Sequence, residues 1–132
     1  MTAVTCQQSI VTAPVDTVAQ VDGRAIFNCS VGGNGTDFVT WDYDPHGADG
    51  DPVRLYADGK VMEGQQGKFD VEHNQQSGAH SLIIKSVQMD LAVRYFCGLG
   101  HAGMQKAARL VAISMTRNLC QLILQNYYLY RL

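Results

Sequence analysis

Three residues constrain this chain more than any others: Cys29, Trp41 and Cys97. Trp41 follows Cys29 by 12 positions, Cys97 follows Trp41 by 56, and Cys97 closes the tripeptide Tyr95-Phe96-Cys97. Around them run short alternating apolar and polar segments broken by Gly, Asp and Pro, the period-2 pattern of half-buried strands. Strands are expected at Ser9 to Thr12, Asp16 to Val21, Arg24 to Val31, Phe38 to Tyr43, Val53 to Ala57, Lys68 to His73 and Ser81 to Val87. Two more are expected ending at Cys97 and lying near Ala107 to Met115. Pro14, between the first two, suits an edge position where a missing N–H is harmless. Asp22-Gly23 and Asp58-Gly59 read as tight turns, the second as a hairpin. Alternation turns Ala25, Phe27 and Cys29 inward and Ile26, Asn28 and Ser30 outward. No convincing helix precedes residue 115, so the chain reads as all-β.

A chain of 132 residues is long enough for one domain around one core. Its net charge of −2 gives no electrostatic case for nucleic acid or for an acidic membrane surface. Four cysteines in a short chain suit an oxidising compartment. No uninterrupted apolar run approaches the roughly 20 residues that span a bilayer, so no membrane contact is expected from this segment. Met1-Thr-Ala-Val has neither a basic start nor a long apolar stretch. It reads as a mature extracellular segment preceded by a starting methionine.

The Cys–Trp–Tyr-x-Cys pattern resembles the immunoglobulin superfamily, and its V-set in particular. Gly67-Lys68-Phe69-Asp70-Val71, His80-Ser81-Leu82-Ile83-Ile84-Lys85-Ser86-Val87 and Met89-Asp90-Leu91-Ala92-Val93-Arg94-Tyr95-Phe96-Cys97 look like strands D, E and F of a variable domain. The resemblance implies an immunoglobulin-like V-set sandwich of two antiparallel sheets. It also implies a buried Cys29–Cys97 disulfide with Trp41 packed on it and the Tyr95 hydroxyl bonded back to nearby backbone. A bridge over such a loop contributes roughly 4 kcal/mol on the loop-entropy view. Lys68 matches the family's basic residue before strand D and Asp90 its acidic partner before strand F, although Asp90 stands seven residues before Cys97 rather than six. The joining motif Phe-Gly-x-Gly is replaced by His101-Ala-Gly-Met-Gln-Lys-Ala-Ala-Arg, so the chain resembles a variable domain lacking an ordinary joining segment. Residues 1–115 are read as the V-set domain and 116–132, apolar and aromatic without turn signals, as a tail outside the sandwich.

In this family recognition uses the end loops and the front sheet, here the expected strands Phe38 to Tyr43 (C), Val53 to Ala57 (C′), the one ending at Cys97 (F) and the one near Ala107 to Met115 (G). The resemblance therefore implies ligand-binding residues in loops 31–37, 57–66 and 98–105: Asn34, Thr36, Asp37, Asp58, Lys60, Leu99, His101 and Met104. Alternation from Trp41 and Cys97 places Thr40, Asp42, Asp44, Arg94 and Phe96 on the outer front face, with Arg54 beside them. Phe96 would be the anchor of a protein contact and the charges would set its register. The expected function is noncovalent recognition by an extracellular domain, secreted or on a cell surface, of an immune-type receptor or secreted immune molecule. The alternative is a homophilic adhesion or structural module, contacting its own copy as a homodimer through that sheet.

Other constellations carry less. No cofactor is implied and no catalytic residue is assigned, since no serine or cysteine nucleophile motif is present and His46, His73, His80 and His101 show no metal-ligand spacing. Asp37, Asp42, Asp44, Asp49 and Asp51 match no calcium loop and read as a solvated acidic cluster. Asn34-Gly-Thr36 is an N-glycosylation sequon in an exposed loop. Asn28-Cys-Ser30 also matches but lies inside the expected Arg24 to Val31 strand beside a cysteine, and Asn118-Leu-Cys120 is a rare form. Cys6 and Cys120 remain as free thiols or as intermolecular partners, because a bond between them would need the tail to fold back. Truncation after Met115 should leave the melting temperature nearly unchanged. A fall of more than about 10 °C in a thermal scan, about 2 kcal/mol for a domain of this size, would make the tail integral.

Overall fold

The computed structural model describes residues 9–32, 38–47, 50–100 and 104–114. The expectations on Cys6, Asn34, Thr36, Asp37, Asp49, His101, Cys120 and residues 116–132 lie outside the described residues, as does the side chain of Met104. The strands are β1 (Ser9–Thr12), β2 (Thr17–Gln20), β3 (Ala25–Phe27), β4 (Ser30–Gly32), β5 (Val39–Tyr43), β6 (Val53–Ala57), β7 (Lys60–Val61), β8 (Phe69–Asn74), β9 (Ala79–Ile84), β10 (Arg94–Leu99) and β11 (Met104–Ile113). A 3-10 turn, Met89–Leu91, precedes β10.

They form two sheets facing each other. The back sheet runs β1-β4-β9-β3, with β8 also on β9, and the front sheet runs β2-β11-β10-β5-β6-β7. β3 and β4 are one long strand interrupted at Asn28-Cys29, since both pair with β9. Pairing is antiparallel except between β2 and β11, which run parallel. The chain changes sheets between β1 and β2, at the buried Pro14, where the fixed φ and the absent N–H suit a strand leaving one ladder for another.

Turn chemistry explains the hairpins. Asp58 (φ 54°) and Gly59 (φ 79°) both adopt the left-handed conformation that a two-residue loop between β6 and β7 requires. At the β8–β9 turn, Asn74 Oδ1 accepts from the backbone N–H groups of Gln76 and Ser77. Gly78 there has φ 73°, and a Cβ on it would collide with the carbonyl oxygen of Val31. Only glycine lets β4 pass this turn so closely.

The core is built on the Cys29–Cys97 disulfide, whose Cα atoms stand 6.5 Å apart. Trp41 is the register partner of Cys97 across β5 and β10, so its indole shares the inner face with the bridge. Its Nε1 donates to the carbonyl oxygen of His80 at 3.1 Å, tying the front sheet to the back. Phe27 lies between Trp41 and Tyr95, with ring centroids 6.4 and 5.2 Å away. Tyr95 is fully buried and its hydroxyl donates to the Leu91 carbonyl at 2.7 Å.

Alternation turns Ile83 outward with its register partners Ile26 and Asp70, yet it is buried at 3% exposure because β9 is flanked on both sides. Two expectations need correction. Among the described residues no ion pair joins Lys68 to Asp90. Asp90 sits exposed in the 3-10 turn of a corner one residue longer than the family pattern, while Lys85, not Lys68, reaches back to the Gln66 carbonyl. Leu99 belongs to the core at 1% exposure, because β10 continues two residues beyond Cys97 and pairs Leu99 with Val39.

Burial, reinforced by Tyr43 and Asp90, pushes the Tyr95 phenol far above its ordinary value of 10.0, and burial pushes Tyr56 the same way. The unfolded phenols ionise near 10 while the folded ones keep their protons, so the folded state binds more protons and stability declines as pH rises above about 10. Tyr95→Phe should cost about 1 kcal/mol at neutral pH through the lost hydrogen bond and flatten the alkaline decline. Urea unfolding at neutral pH and near pH 10.5 checks both, and an unchanged alkaline slope would assign the decline to other groups.

Candidate binding face

The outer surface of the front sheet joins the residues that sequence analysis singled out. β5 is central in that sheet, between β10 and β6, so polar side chains on its outer face are covered by both neighbours. Thr40 and Asp42 are accordingly buried at 6% and 5% exposure, and Asp44, one residue past β5 and bonded through its N–H to the Arg94 carbonyl, at 4%. This corrects the expectation that they form an exposed mixed surface, and the picture of a solvated acidic cluster as far as Asp42 and Asp44 are concerned. A carboxylate in such a place needs a donor, and each has an arginine. Arg54 Nε donates to Asp42 Oδ1 at 2.9 Å and its Nη2 to Oδ2 at 3.4 Å, while Gln105 Nε2 reaches Oδ2 at 3.3 Å. Arg94 Nη2 donates to Asp44 Oδ2 at 2.8 Å.

The arginines are the solvent-facing halves of these pairs, with side chains 48% and 40% exposed against 7% and 4% for the acids. The hydrogen bond to Asp42 raises Arg54 above its ordinary value, with Asp58 adding to the effect. The Arg94 guanidinium also lies over the Phe96 ring, 5.4 Å from its centroid, a cation–π contact that holds both side chains in one arrangement. Arg109 is exposed opposite Arg94, and Ala107 opposite Phe96. The acids are sunk in the sheet and the face shows water its basic ends, around a half-buried phenylalanine.

Of the loop residues, Asp58 is exposed in the β6–β7 turn and Lys60 is exposed in β7 immediately after it. They stand at the edge of the front sheet rather than on its face. Sequence reasoning missed Gln105 and a second constellation on the back sheet. His73 and His80 are register partners across β8 and β9, and their rings stack with centroids 4.1 Å apart. The Asn74-to-Gly78 turn was the available signal, because a hairpin turn of known length sets which residues face each other. Among the described residues no three His, Cys, Asp or Glu side chains gather as a metal-binding group, and no helix is long and apolar enough to cross a membrane.

The family model of the immunoglobulin V-set domain matches residues 12–113. The chain belongs to the immunoglobulin V-set family. No curated protein matches this V-set chain. Among solved structures, the crystal structure of the I9–I11 tandem from titin is similar to it, with a TM-score of 0.59 and 19% identity. That alignment covers 82% of this chain and 34% of the titin chain, so the domain spans about a third of that structure's length. At this identity the likeness speaks to the fold alone, and the fold is shared by chains of many functions.

Arg94 is the one side-chain donor to buried Asp44 among the described residues, whereas Asp42 keeps Gln105 when Arg54 is lost. Arg94→Ala should therefore destabilise the domain by about 1–3 kcal/mol and Arg54→Ala by less. Adding Asp44→Asn to Arg94→Ala should recover part of the loss. Urea midpoints of the four proteins test this, and equal costs for the two arginines would show that the exposed pairs contribute little, as surface pairs often do.

Proposed function

We propose that this V-set domain is an extracellular recognition module that docks a protein partner noncovalently on the outer face of β5, β6, β10 and β11, with the end loops completing the contact. V-set domains are typically binding modules rather than enzymes, and the buried disulfide suits an oxidising, extracellular setting. The observation that carries the reading is the fixed arrangement of Arg94 between Asp44 and the Phe96 ring. A side chain already held in its binding geometry loses less conformational freedom on association. Arg and aromatic residues at the centre of a face are the usual anchors. With the carboxylates below the surface, the favoured partner is one that brings acidic groups around an apolar spot.

A second reading, self-association through the same sheet, has its own support. Val18 and Val111 are register partners on β2 and β11 and are 62% and 44% exposed. They extend the face with an apolar edge, and such patches mark contact surfaces when they are contiguous.

Sedimentation of the wild type, Phe96→Ala, Arg109→Glu, Val111→Ser and an Ile26→Ser control on the back sheet separates the two, together with a cell-surface protein array probed with the same proteins. Recognition of another protein predicts a monomer whose array binding falls at least tenfold with Phe96→Ala and weakens in salt. Self-contact predicts a dimer dissociated by Phe96→Ala or Val111→Ser. Loss of either interaction through Ile26→Ser alone would move the contact to the back sheet.

A further inference from the structure

We propose that Asn28 is a second N-linked glycan acceptor, and that its glycan caps the outer face of the back sheet. The proposal rests on the extracellular reading for its natural setting. In the sequence Asn28-Cys29-Ser30 looks like a poor acceptor, set inside an expected strand beside a cysteine, although alternation turns Asn28 outward. The structure removes that objection. Asn28 is exposed and stands with Cys29 at the interruption between β3 and β4, while Cys29 itself turns inward at 1% exposure to the bridge. Alternation thus separates the two: the sulfur lies in the core and the carboxamide lies in water.

The local chemistry suits an acceptor. Asn28 Oδ1 accepts a hydrogen bond from Ser81 Oγ of β9 at 2.9 Å. Among the described residues nothing accepts from Nδ2, the atom on which a glycan is built. Asn28 borders a shallow groove of about 260 Å³ whose walls include Thr12, Ser30, Ser77 and Ser81. The exposed wall of this groove is mainly apolar, a surface on which the C–H face of a first sugar can lie, and the hydroxyls add a few donors and acceptors beside it. Transfer bonds Nδ2 to the anomeric carbon of a lipid-pyrophosphate-linked oligosaccharide. The bond from that carbon to the pyrophosphate oxygen breaks, the lipid pyrophosphate leaves with the electron pair, and Nδ2 gives up a proton.

The neighbouring cysteine does not block the order of events. Its partner Cys97 lies 68 residues further along the chain, so Asn28 enters the oxidising compartment, and meets the transferase, before the bridge can close. The folded product has a definite consequence. Ile26, two residues earlier on the same outward face, is 44% exposed. A glycan rising from Asn28 shields that face and leaves the front sheet as the open surface.

The experiment directs the full chain into the secretory pathway of cultured animal cells with an added leader peptide, so acceptor competence is read independently of where the natural protein resides. Asn34→Gln removes the other loop sequon, and the secreted protein is mapped by mass spectrometry before and after enzymatic deglycosylation in heavy-oxygen water. We expect a glycan on Asn28 in at least half of the molecules, lost in Ser30→Ala, kept in Ser30→Thr and absent from Asn28→Gln. Thermal melts of the deglycosylated variants confirm that each is folded. A folded, secreted Asn34→Gln protein with unmodified Asn28, beside a wild type glycosylated at Asn34, overturns the proposal. A modified Asn28 combined with an intracellular natural protein would instead leave the acceptor standing and sink the extracellular reading.

Discussion

The Cys29–Cys97 bridge is the constraint on which the rest of the structure depends. It joins the β3–β4 strand of the back sheet to β10 of the front sheet, and so decides which faces look inward. Once Cys97 points in, Trp41 opposite it points in, as do Tyr95 and Leu99 at two-residue steps along β10. The same step turns Arg94 and Phe96 outward. Entropically, a link over so long a loop removes a large part of the unfolded chain's freedom, worth roughly 4 kcal/mol on the polymer view. Geometrically, it supplies the parity for both sheets. The Trp41–His80 and Tyr95–Leu91 hydrogen bonds then let two large aromatics sit in the core without an unsatisfied polar atom at either tip.

That parity has a consequence on the far side of the front sheet. The central strand carries Asp42 outward between two neighbours, Asp44 follows just past its end, and both are out of water. Buried carboxylates are costly unless they are paired, and each of these two is met by an arginine from an adjacent strand. The pairing orients the guanidinium groups, and the Arg94 group is further held against Phe96. The requirement to satisfy two acids therefore also builds an ordered basic and aromatic surface. If this face docks a partner as proposed, stability and recognition rest on the same contacts, and substitutions of these arginines act on both at once.

The two sheets differ in character outside the core. The back sheet shows water a mainly apolar groove beside Asn28, the partly exposed Ile26 and, on its β1 edge, the 69% exposed Val11. The front sheet shows interlocked charges, a half-buried phenylalanine and the Val18–Val111 edge. The two proposals, a glycan on the back sheet and a protein partner on the front one, would assign these surfaces different tasks.

Much of this was legible in the sequence because strands advertise themselves locally. The alternation around Cys29, Trp41 and Cys97, the Asp58-Gly59 hairpin and the break at Pro14 each arise from the preferences of a few neighbouring residues. β1 and β6 coincide with the expected ranges, and every other expected strand lies within a few residues of its observed position. Parity along a strand also placed Asp42, Asp44, Arg94 and Phe96 on one face. Burial on that face was not legible, because it depends on how many strands flank the residue and on what they carry. Ile83 and Asp42 both point away from the core, and both are buried because their strands are flanked on each side. The same holds for the His73–His80 stack and for Gln105 at Asp42, which exist only once register brings distant segments together. The sequence alone determined the direction of each side chain, a local property of period 2. The tertiary structure decided what each one meets there, because that is set by neighbouring strands brought from distant parts of the chain.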